Sequence, residues 1–372
     1  MMKIRDVETY LVRALSRNLL FVRINTDEGI SGIGECTATY GAGSLAIDAA
    51  VREFAPFIIG EDPSNIELLC ESMRVGSFWG KSGGPYICSA MSGIEQALWD
   101  IKGKVLDAPI YEMLGGRVRD KIRVYANTWA SVHWEVPEEY AEFAVRAIED
   151  GFTAIKIYPF GIGGVVQNEK QIIERVEAVR NAVGDEVDLM IDGGWRYSSN
   201  TFTAIRIGKM LERFDPLFYE EPIDPDNVDA MAKVAANVNI PVAAGERIYT
   251  LNGFKTYLEK EALQIVQPDI GLGGGILELK RIAAMADTYC VPVAPHNCSS
   301  PVATASTIQF IASTTNFLIL EVFPYEELWH DLVDEPPEKR IRNGYIEVPK
   351  KPGLGVELNE EMIFKHRYKA LS

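Results

Sequence analysis

The sequence predicts an α/β protein in which a closed barrel of parallel strands follows a smaller α+β unit. From residue 122 onward, eight short apolar runs alternate with amphipathic segments, which argues for a closed barrel over an open doubly wound sheet. The residues before this point read instead as three strands followed by helices. A third observation concerns chemistry: three carboxylates end consecutive apolar runs, 28 and 26 residues apart, which is the length of one βαβ repeat.

The α+β unit is expected over residues 1–120 and is called the N-terminal unit below. Its predicted strands cover residues 3–10, 19–24 and 30–35, and its predicted helices cover residues 45–57, 65–73 and 86–106. Turn residues at 25–29 favour a hairpin between the second and third strands. The polar residues 13–18 and the glycine-rich residues 78–85 are predicted to be loops.

The barrel is expected over residues 121–325. Its predicted strands are 122–127, 154–158, 188–191, 217–219, 242–244, 265–267, 291–294 and 318–321, and its predicted helices are 137–150, 168–183, 200–213, 226–237, 252–259, 274–288 and 300–313. The glycine-rich residues 271–275 follow the sixth strand. A dinucleotide-binding turn would follow the first strand, so this segment is interpreted as a tight strand-to-helix turn. Residues 326–372 contain one short strand and are expected to pack back onto the N-terminal unit.

Composition limits the partners and the location of the protein. The 372 residues carry a net charge of −16 and are 47 % hydrophobic, which suits a large core and argues against nucleic acid or an anionic membrane as a partner. A small acidic substrate remains compatible, because a bound metal ion reverses the local charge. Five scattered cysteines without a CxxC pair, no signal peptide and no membrane-length apolar run indicate a cytoplasmic protein with reduced thiols.

The three carboxylates are Asp192, Glu220 and Glu246. The C-terminal ends of successive parallel strands meet on one face of a barrel, so these groups are expected to converge and to repel one another unless a cation binds. An all-oxygen set of ligands suits Mg²⁺. The alternative is that each residue caps the helix after its strand. That alternative explains one strand end better than three in a row, so the pattern favours a magnesium site.

Further polar residues are predicted at the same end of the barrel. Alternation along the second strand turns Lys156 and Tyr158 toward the barrel mouth, where a buried lysine needs anionic partners. Asp269 ends the sixth strand and His296 ends the seventh, so the two are expected to pair. A carboxylate bonded to one imidazole nitrogen raises the basicity of the other. Glu321 ends the eighth strand and would act as an acid or as a hydrogen-bonding group.

Taken together, these residues predict an enzyme that removes the proton alpha to a carboxylate of a small molecule. His296 would be the base, and Lys156 and the metal would stabilise the enediolate oxygens. A barrel retained as a binding or scaffold protein is the alternative outside enzymology, and the presence of every expected ligand and of the His–Asp pair argues against it.

Seven motifs extend this prediction to a family. They are GIEQALWDIKGK (93–104), LGG (114–116), IDG (191–193), YEEP (219–222), GER (245–247), QPD (267–269) and PHN (295–297). Jointly they resemble the enolase superfamily, in its mandelate racemase subgroup, and within it the acid-sugar dehydratases of the galactonate, gluconate and arabinonate type. The resemblance covers almost the whole chain.

The resemblance implies a modified barrel, (β/α)7β-like, whose last helix is missing or altered, under a capping domain built from the N-terminal segment and the C-terminal tail. It implies Mg²⁺ on Asp192, Glu220 and Glu246. It also implies a His296–Asp269 dyad, with Glu321 near the substrate carboxylate. Loops near residues 13–18 and 79–84 would shape specificity, and the protein would form a homo-oligomer.

Two departures from the family pattern favour one reaction. Many members carry Lys-x-Lys on the second strand, with the second lysine as a base, and here Tyr158 takes that position. Some sugar-acid dehydratases carry a histidine two residues after the first metal ligand, and here that position is Gly194. A racemase needs groups on both faces of the planar intermediate, and only His296 is evident.

The sequence therefore predicts dehydration of an aldonic or aldaric acid to a 2-keto-3-deoxy acid. His296 can serve both steps, with Tyr158 or Glu321 as other candidates for the acid. A racemase or epimerase, or a cycloisomerase, that uses the same enediolate is the alternative.

Overall fold

The computed structural model describes residues 2–14, 17–37, 41, 43–81, 83–127, 136–160, 168–193 and 200–368. The N-terminal unit begins with an antiparallel sheet in the order β1 (Ile4–Ala14), β2 (Arg17–Thr26) and β3 (Ser31–Cys36). The predicted hairpin between the second and third strands is confirmed, since Thr26 N donates to Ile30 O across the turn at 3.0 Å.

The prediction that residues 13–18 form a loop was wrong for residues 13, 14, 17 and 18, which belong to strands, and residues 15 and 16 lie outside the described residues. β1 continues to Ala14, β2 already includes Arg17 and Asn18, and Ala14 pairs with Arg17. Arg17 and Asn18 are buried, and Asn18 Nδ2 donates to Ser44 Oγ at 2.8 Å. These polar side chains make buried hydrogen bonds. A run of polar residues in a sequence does not show whether the side chains are buried in this way or exposed in a loop.

Helices follow the sheet in the predicted order. They are α1 (Gly43–Phe54) with a short 3₁₀ turn (Ala55–Phe57), α2 (Ile66–Gly76), α3 (Pro85–Val105) and α4 (Ile110–Met113). Pro85 stands in the first turn of α3, where its missing N–H costs no helical hydrogen bond. Most of α3 is buried because the helix packs against β2, β3 and α1.

The barrel starts at β4 (Lys121–Asn127). Its further strands are β5 (Ala154–Ile157), β6 (Asp188–Asp192), β7 (Phe218–Glu220), β8 (Val242–Ala244), β9 (Ile265–Val266) and β10 (Leu320–Val322). Its helices are α5 (Pro137–Glu149), α6 (Glu169–Val183), α7 (Thr201–Leu211), α8 (Val228–Ala235), α9 (Thr250–Glu259), α10 (Ile276–Thr288) and α11 (Pro301–Ala312). Neighbouring strands are parallel, and β10 pairs with β4 to close the ring. The predicted α/β barrel class is confirmed.

The seventh strand is shorter than the predicted residues 291–294. Only Val293 pairs, through parallel bridges to β9 on one side and to Phe317 on the other. Pro292 and Pro295 flank it. Because proline has no backbone N–H to donate to the sheet, the ladder cannot extend past these two positions.

The barrel interior is filled by one residue from each of the eight strand positions. These residues are Tyr125, Ala154, Met190, Phe218, Ala243, Ile265, Ala294 and Ile319. Ile155 and Ile157 instead join the larger apolar cluster between the strands and the helices. The predicted alternation is confirmed over Ala154–Ile157, and it turns Lys156 toward the interior, like Ala154. Tyr158 lies beyond the end of β5 and joins the same larger cluster as the two isoleucines, so its predicted place in the barrel mouth was wrong.

The residues after β10 leave the barrel pattern. A five-residue helix, α12 (Glu327–Asp331), follows β10, and then come β11 (Val333–Asp334), β12 (Tyr345–Glu347), β13 (Glu357–Leu358) and α13 (Glu360–Lys365). β12 adds antiparallel to β4. The tail also reaches the first sheet, where Tyr368 N donates to Leu11 O at 2.7 Å and Arg13 N donates to His366 O at 2.9 Å. In the part of the chain that the structure describes, no helix has the length and apolar character needed to cross a membrane.

Candidate active site

A cavity of about 500 Å³ lies where the carboxyl ends of the barrel strands face the N-terminal unit. Its wall contains the barrel residues Asn127, Lys156, Asp192, Glu246, Arg247, Tyr249, Leu272, His296, Cys298 and Glu321, and the N-terminal residues Arg17, Thr37, Pro85 and Tyr86. Ligand pockets of barrel proteins lie at this end of the strands. Five of the eight residues singled out in the sequence line this cavity.

Lys156 is only 1 % exposed and ends in two ion pairs. Its Nζ lies 2.6 Å from Glu220 Oε2 and 2.8 Å from Glu321 Oε1. Burial on its own would lower the pKa of Lys156, but the two carboxylates outweigh burial and raise this pKa well above its ordinary value. The lysine is therefore charged, and the anionic partners that its burial requires are present.

Glu321 accepts hydrogen bonds on both carboxylate oxygens. Asn127 Nδ2 donates to Oε1 at 2.6 Å, and the backbone N of Asn297 donates to Oε2 at 2.9 Å. Burial favours the neutral acid, but the charges of Lys156 and His296 lower the pKa of Glu321 to about 2. An ionised, fully bonded carboxylate is a hydrogen-bond acceptor and a poor proton donor.

His296 lies between two carboxylates. Its Nδ1 is 2.6 Å from Asp269 Oδ2, and its Nε2 is 2.9 Å from Glu246 Oε2. Asp269 is itself held by Gly271 N, which donates to its Oδ1 at 2.7 Å. Burial would lower the pKa of His296, but the hydrogen bond to Asp269 and the charges of Glu321 and Asp269 raise it to about 10. The structure thus brings together the histidine and the aspartate that the sequence paired.

The three carboxylates expected to bind Mg²⁺ lie at the ends of neighbouring strands. Asp192 and Glu220 are the last residues of β6 and β7 and stand opposite each other in the parallel register. Glu246 follows the end of β8 by two residues. This arrangement follows from the parallel order of the strands, since each chain segment reaches the same barrel end before turning into its helix.

Each of these carboxylates has a partner within the protein. Glu220 accepts from Lys156 and from Gln267 Nε2, the latter at 3.0 Å, and Glu246 pairs with Arg247 and His296. Over the described ranges, no three acidic, histidine or cysteine side chains already face one point as ligands of an ion would. The oxygen-only donor set fits Mg²⁺ better than Zn²⁺ or iron, and the ligand assignment stays a prediction.

Several amide side chains of this site were missed in the sequence. Asn127 ends the first barrel strand and binds Glu321, and Gln267 follows β9 and binds Glu220. Asn297 follows His296, and its Nδ2 donates to Glu321 O at 3.1 Å. Asn127 and Gln267 end strands that the sequence predicts, so the rule that found the charged residues would also have found these two. They were missed because uncharged amides give no electrostatic signal.

Tyr158 is not among the described residues of the cavity wall. Its ring centroid lies 5.7 Å from that of Phe160, and both residues belong to the apolar cluster outside the strands. Its predicted role as an acid remains a prediction. Gly194, at the position where some dehydratases carry histidine, lies outside the described residues.

Comparison with known proteins shows the family of this chain. Residues 7–115 match the mandelate racemase/muconate lactonizing enzyme N-terminal domain, and residues 139–362 match the domain described as enolase C-terminal domain-like. Together the two matches cover most of the chain. The fold and the position of the cavity define an enolase-type barrel, and the chain belongs to the mandelate racemase/muconate lactonizing enzyme family of the enolase superfamily.

Two relatives named as sugar-acid dehydratases align with nearly the whole chain. A D-xylonate dehydratase of Haloferax volcanii is 37 % identical over 98 % of this chain and 89 % of its own length, and a D-galactonate dehydratase of Variovorax paradoxus is 38 % identical over 97 % and 94 %. The resemblance to acid-sugar dehydratases is confirmed.

Solved structures agree in fold. An enolase superfamily member from Salmonella Typhimurium superimposes with a TM-score of 0.92 at 38 % identity, covering 98 % of each chain. The 3,6-anhydro-D-galactonate cycloisomerase of Zobellia galactanivorans superimposes with a TM-score of 0.89 at 31 % identity, covering 99 % of this chain and 100 % of that one.

Proposed function

We propose that this protein is a hydro-lyase that removes water from an aldonic or aldaric acid and yields a 2-keto-3-deoxy acid through an enediolate. The observation that carries the proposal is the His296–Asp269 pair, with Nδ1 2.6 Å from Oδ2, in the wall of a cavity that also holds Lys156. The whole-length relatives named D-xylonate and D-galactonate dehydratases support the same reaction class.

His296 is the proposed base. Asp269 holds the proton on Nδ1, so Nε2 is the nitrogen that would take the alpha proton. In this structure Nε2 pairs with Glu246. Mg²⁺ held by Glu246 would take up that carboxylate and place a positive charge near the imidazole, which favours the neutral ring that a base needs. After taking the alpha proton, the imidazolium stands beside the same face of the substrate and can protonate the departing beta hydroxyl. The ionised state of Glu321 supports a role as hydrogen-bond acceptor over a role as that acid.

Lys156 is the proposed electrostatic partner of the enediolate. It is held in place by Glu220 and Glu321, which fix a positive charge close to the cavity before the substrate arrives. Asp192, Glu220 and Glu246 would hold Mg²⁺, which supplies charge neutralisation for a carboxylate substrate and for the developing enediolate.

A cycloisomerase is the second candidate. The Zobellia cycloisomerase is 31 % identical and shares the fold over the whole chain. Both reactions start with a base beside an acidic carbon, so the described residues of the site serve either, and the product distinguishes them.

The substrate class is tested by a screen of the Mg²⁺-loaded protein against C4–C6 aldonic and aldaric acids, with a colour reaction for 2-keto-3-deoxy products. We expect one acid, or a few related acids, to react. Loss of substrate without a 2-keto-3-deoxy product would favour the cycloisomerase, and complete inactivity across the library would contradict the proposed substrate class.

If Glu220 binds Mg²⁺, Glu220→Gln is expected to weaken Mg²⁺ binding by about 10- to 100-fold, because one anionic oxygen ligand is lost. Calorimetric titration with MgCl2 measures this effect without any substrate. Glu259→Gln is a matched control, since Glu259 lies at the end of α9 and pairs only with the surface residue Lys255 among the described ion pairs. Equal affinities in wild type and Glu220→Gln would exclude Glu220 as a ligand.

A further inference from the structure

Two buried carboxylates of the N-terminal unit bind the N-termini of two barrel helices. Glu35, at the end of β3, is fully buried. Its oxygens accept from Ser300 N at 3.0 Å, from Ser300 Oγ at 2.6 Å and from Ala303 N at 3.0 Å. These groups form the start of α11, where unpaired N–H groups and the helix dipole favour a negative charge.

Glu95 of α3 makes the equivalent contact with α10. It is 1 % exposed, and its oxygens accept from Ile276 N at 2.7 Å and from Leu277 N at 2.9 Å. Trp99 Nε1 donates to the same carboxylate at 2.8 Å and holds it in place within α3. The first N–H groups of α10 thus bind a residue far away in the sequence, and α11 adds such a contact to its local cap, in which Ser300 Oγ accepts from Val302 N at 3.2 Å.

Thr37 joins the two segments that precede these helices. Its backbone N donates to Gly271 O at 3.2 Å, and its hydroxyl lies 3.2 Å from Ser299 Oγ. The glycine-rich turn is shaped for these contacts, because a Cβ on Gly271 would collide with Thr37 and a Cβ on Gly275 would collide with Glu95. Gly275 also has a φ of +90°, which favours glycine on its own.

The two bound segments are the ones that carry the His–Asp pair. The turn that ends at α10 begins directly after Asp269, and Gly271 donates to the Asp269 carboxylate. The turn that ends at α11 begins directly after His296. We propose that Glu35, Glu95 and Thr37 form a clasp that sets the separation and orientation of His296 and Asp269. This inference rests on the proposed function, and in it Glu35, Glu95 and Thr37 are positioning residues for the His–Asp pair.

The clasp predicts a kinetic effect that general destabilisation does not produce. In Glu35→Gln or Glu95→Gln, the shape is kept, but one acceptor oxygen is replaced by an NH2 group that cannot accept a hydrogen bond from the start of the helix. We expect kcat to fall about 10- to 100-fold with little change in KM, because the dyad shifts while the substrate contacts remain. Thr37→Val removes only the hydroxyl contact to Ser299. We expect it to lower kcat by a smaller factor.

Asp100→Asn is the matched control. Asp100 is a fully buried carboxylate of the same helix as Glu95, but it accepts from Ile33 N and Leu354 N, at 3.0 and 2.8 Å, and not from the turns after Asp269 or His296. We expect this variant to unfold at a lower temperature and to keep the wild-type kcat. A kcat loss in Asp100→Asn equal to that of the Glu variants would contradict the clasp.

A second measurement separates this inference from the proposed function. In protein labelled with ¹⁵N-histidine, the His296 signals are assigned from their loss in His296→Asn, and they report the bond to Asp269 without any substrate. We expect these signals to shift in Glu35→Gln and Glu95→Gln and to stay unchanged in Asp100→Asn. If the wild type turned over no sugar acid, the proposed function would fail, and the clasp would be judged from these signals alone. Unchanged His296 signals in both Glu variants would overturn it.

Discussion

Replacing His296 by asparagine is expected to lower kcat for the sugar acid by a factor of about 100 to 10,000. Asparagine keeps a polar side chain of similar reach but has no basic nitrogen, so the alpha proton would have no acceptor on this face of the cavity. The same variant should stop the exchange of the substrate alpha proton with solvent. Both effects are measured with Mg²⁺ present, by product formation and by NMR.

The control is His366→Asn, because His366 lies in the tail after α13, outside the cavity wall, and binds β1 through its backbone oxygen, which accepts from Arg13 N at 2.9 Å. This variant should turn over at the wild-type rate. Near-normal turnover by His296→Asn would contradict the assignment of the base. Loss of activity in both variants would show that any histidine change disturbs the fold.

Replacing Lys156 by methionine is expected to destabilise the metal-free protein by about 3–5 kcal/mol and to abolish activity. The substitution keeps most of the side-chain volume but leaves Glu220 and Glu321 as buried carboxylates without their cation. Chemical denaturation in a chelating buffer measures the free energy of unfolding. Activity should not return on adding Mg²⁺, because the fixed charge beside the enediolate is gone.

The double variant Lys156→Met/Glu321→Gln tests the cause of this loss. It removes one of the two unpaired charges, so it should be more stable than Lys156→Met alone and should remain inactive. If the single variant were as stable as the wild type, Lys156 would not neutralise these carboxylates in the folded protein. A double variant less stable than both single variants would mean that the two side chains do not form a coupled pair.

Local periodicity was enough to predict much of the barrel and of the site. The alternation of Ala154, Ile155, Lys156 and Ile157 placed the lysine inside the barrel, and the structure confirms that placement. The contact between Asp269 and His296 followed from their positions at the ends of adjacent strands. Both predictions needed only the strand period and the order of strands in a parallel barrel.

Contacts between segments far apart in the sequence are not indicated by any local periodicity. Glu35 binds Ser300 across 265 residues of sequence, and no periodic pattern relates the two positions. Arg17 shows the same limit. A polar residue beside other polar residues predicts an exposed loop, whereas the Arg17 side chain is buried against Cys298 and the ring of Trp329. Such pairings depend on how the N-terminal unit packs on the barrel, which only the three-dimensional structure gives.

Proton abstraction by His296 is expected to lead to loss of water from the sugar acid. This is tested by following the reaction of a sugar acid in D₂O by NMR. Removal of the alpha proton and the beta hydroxyl gives an enol, and its conversion to the 2-keto acid takes up one solvent deuteron at C3. Dehydration gives a new C3 methylene carrying one deuterium, and no epimer of the substrate. Substrate or epimer labelled at the alpha carbon, without the new methylene, would contradict dehydration and identify an epimerase.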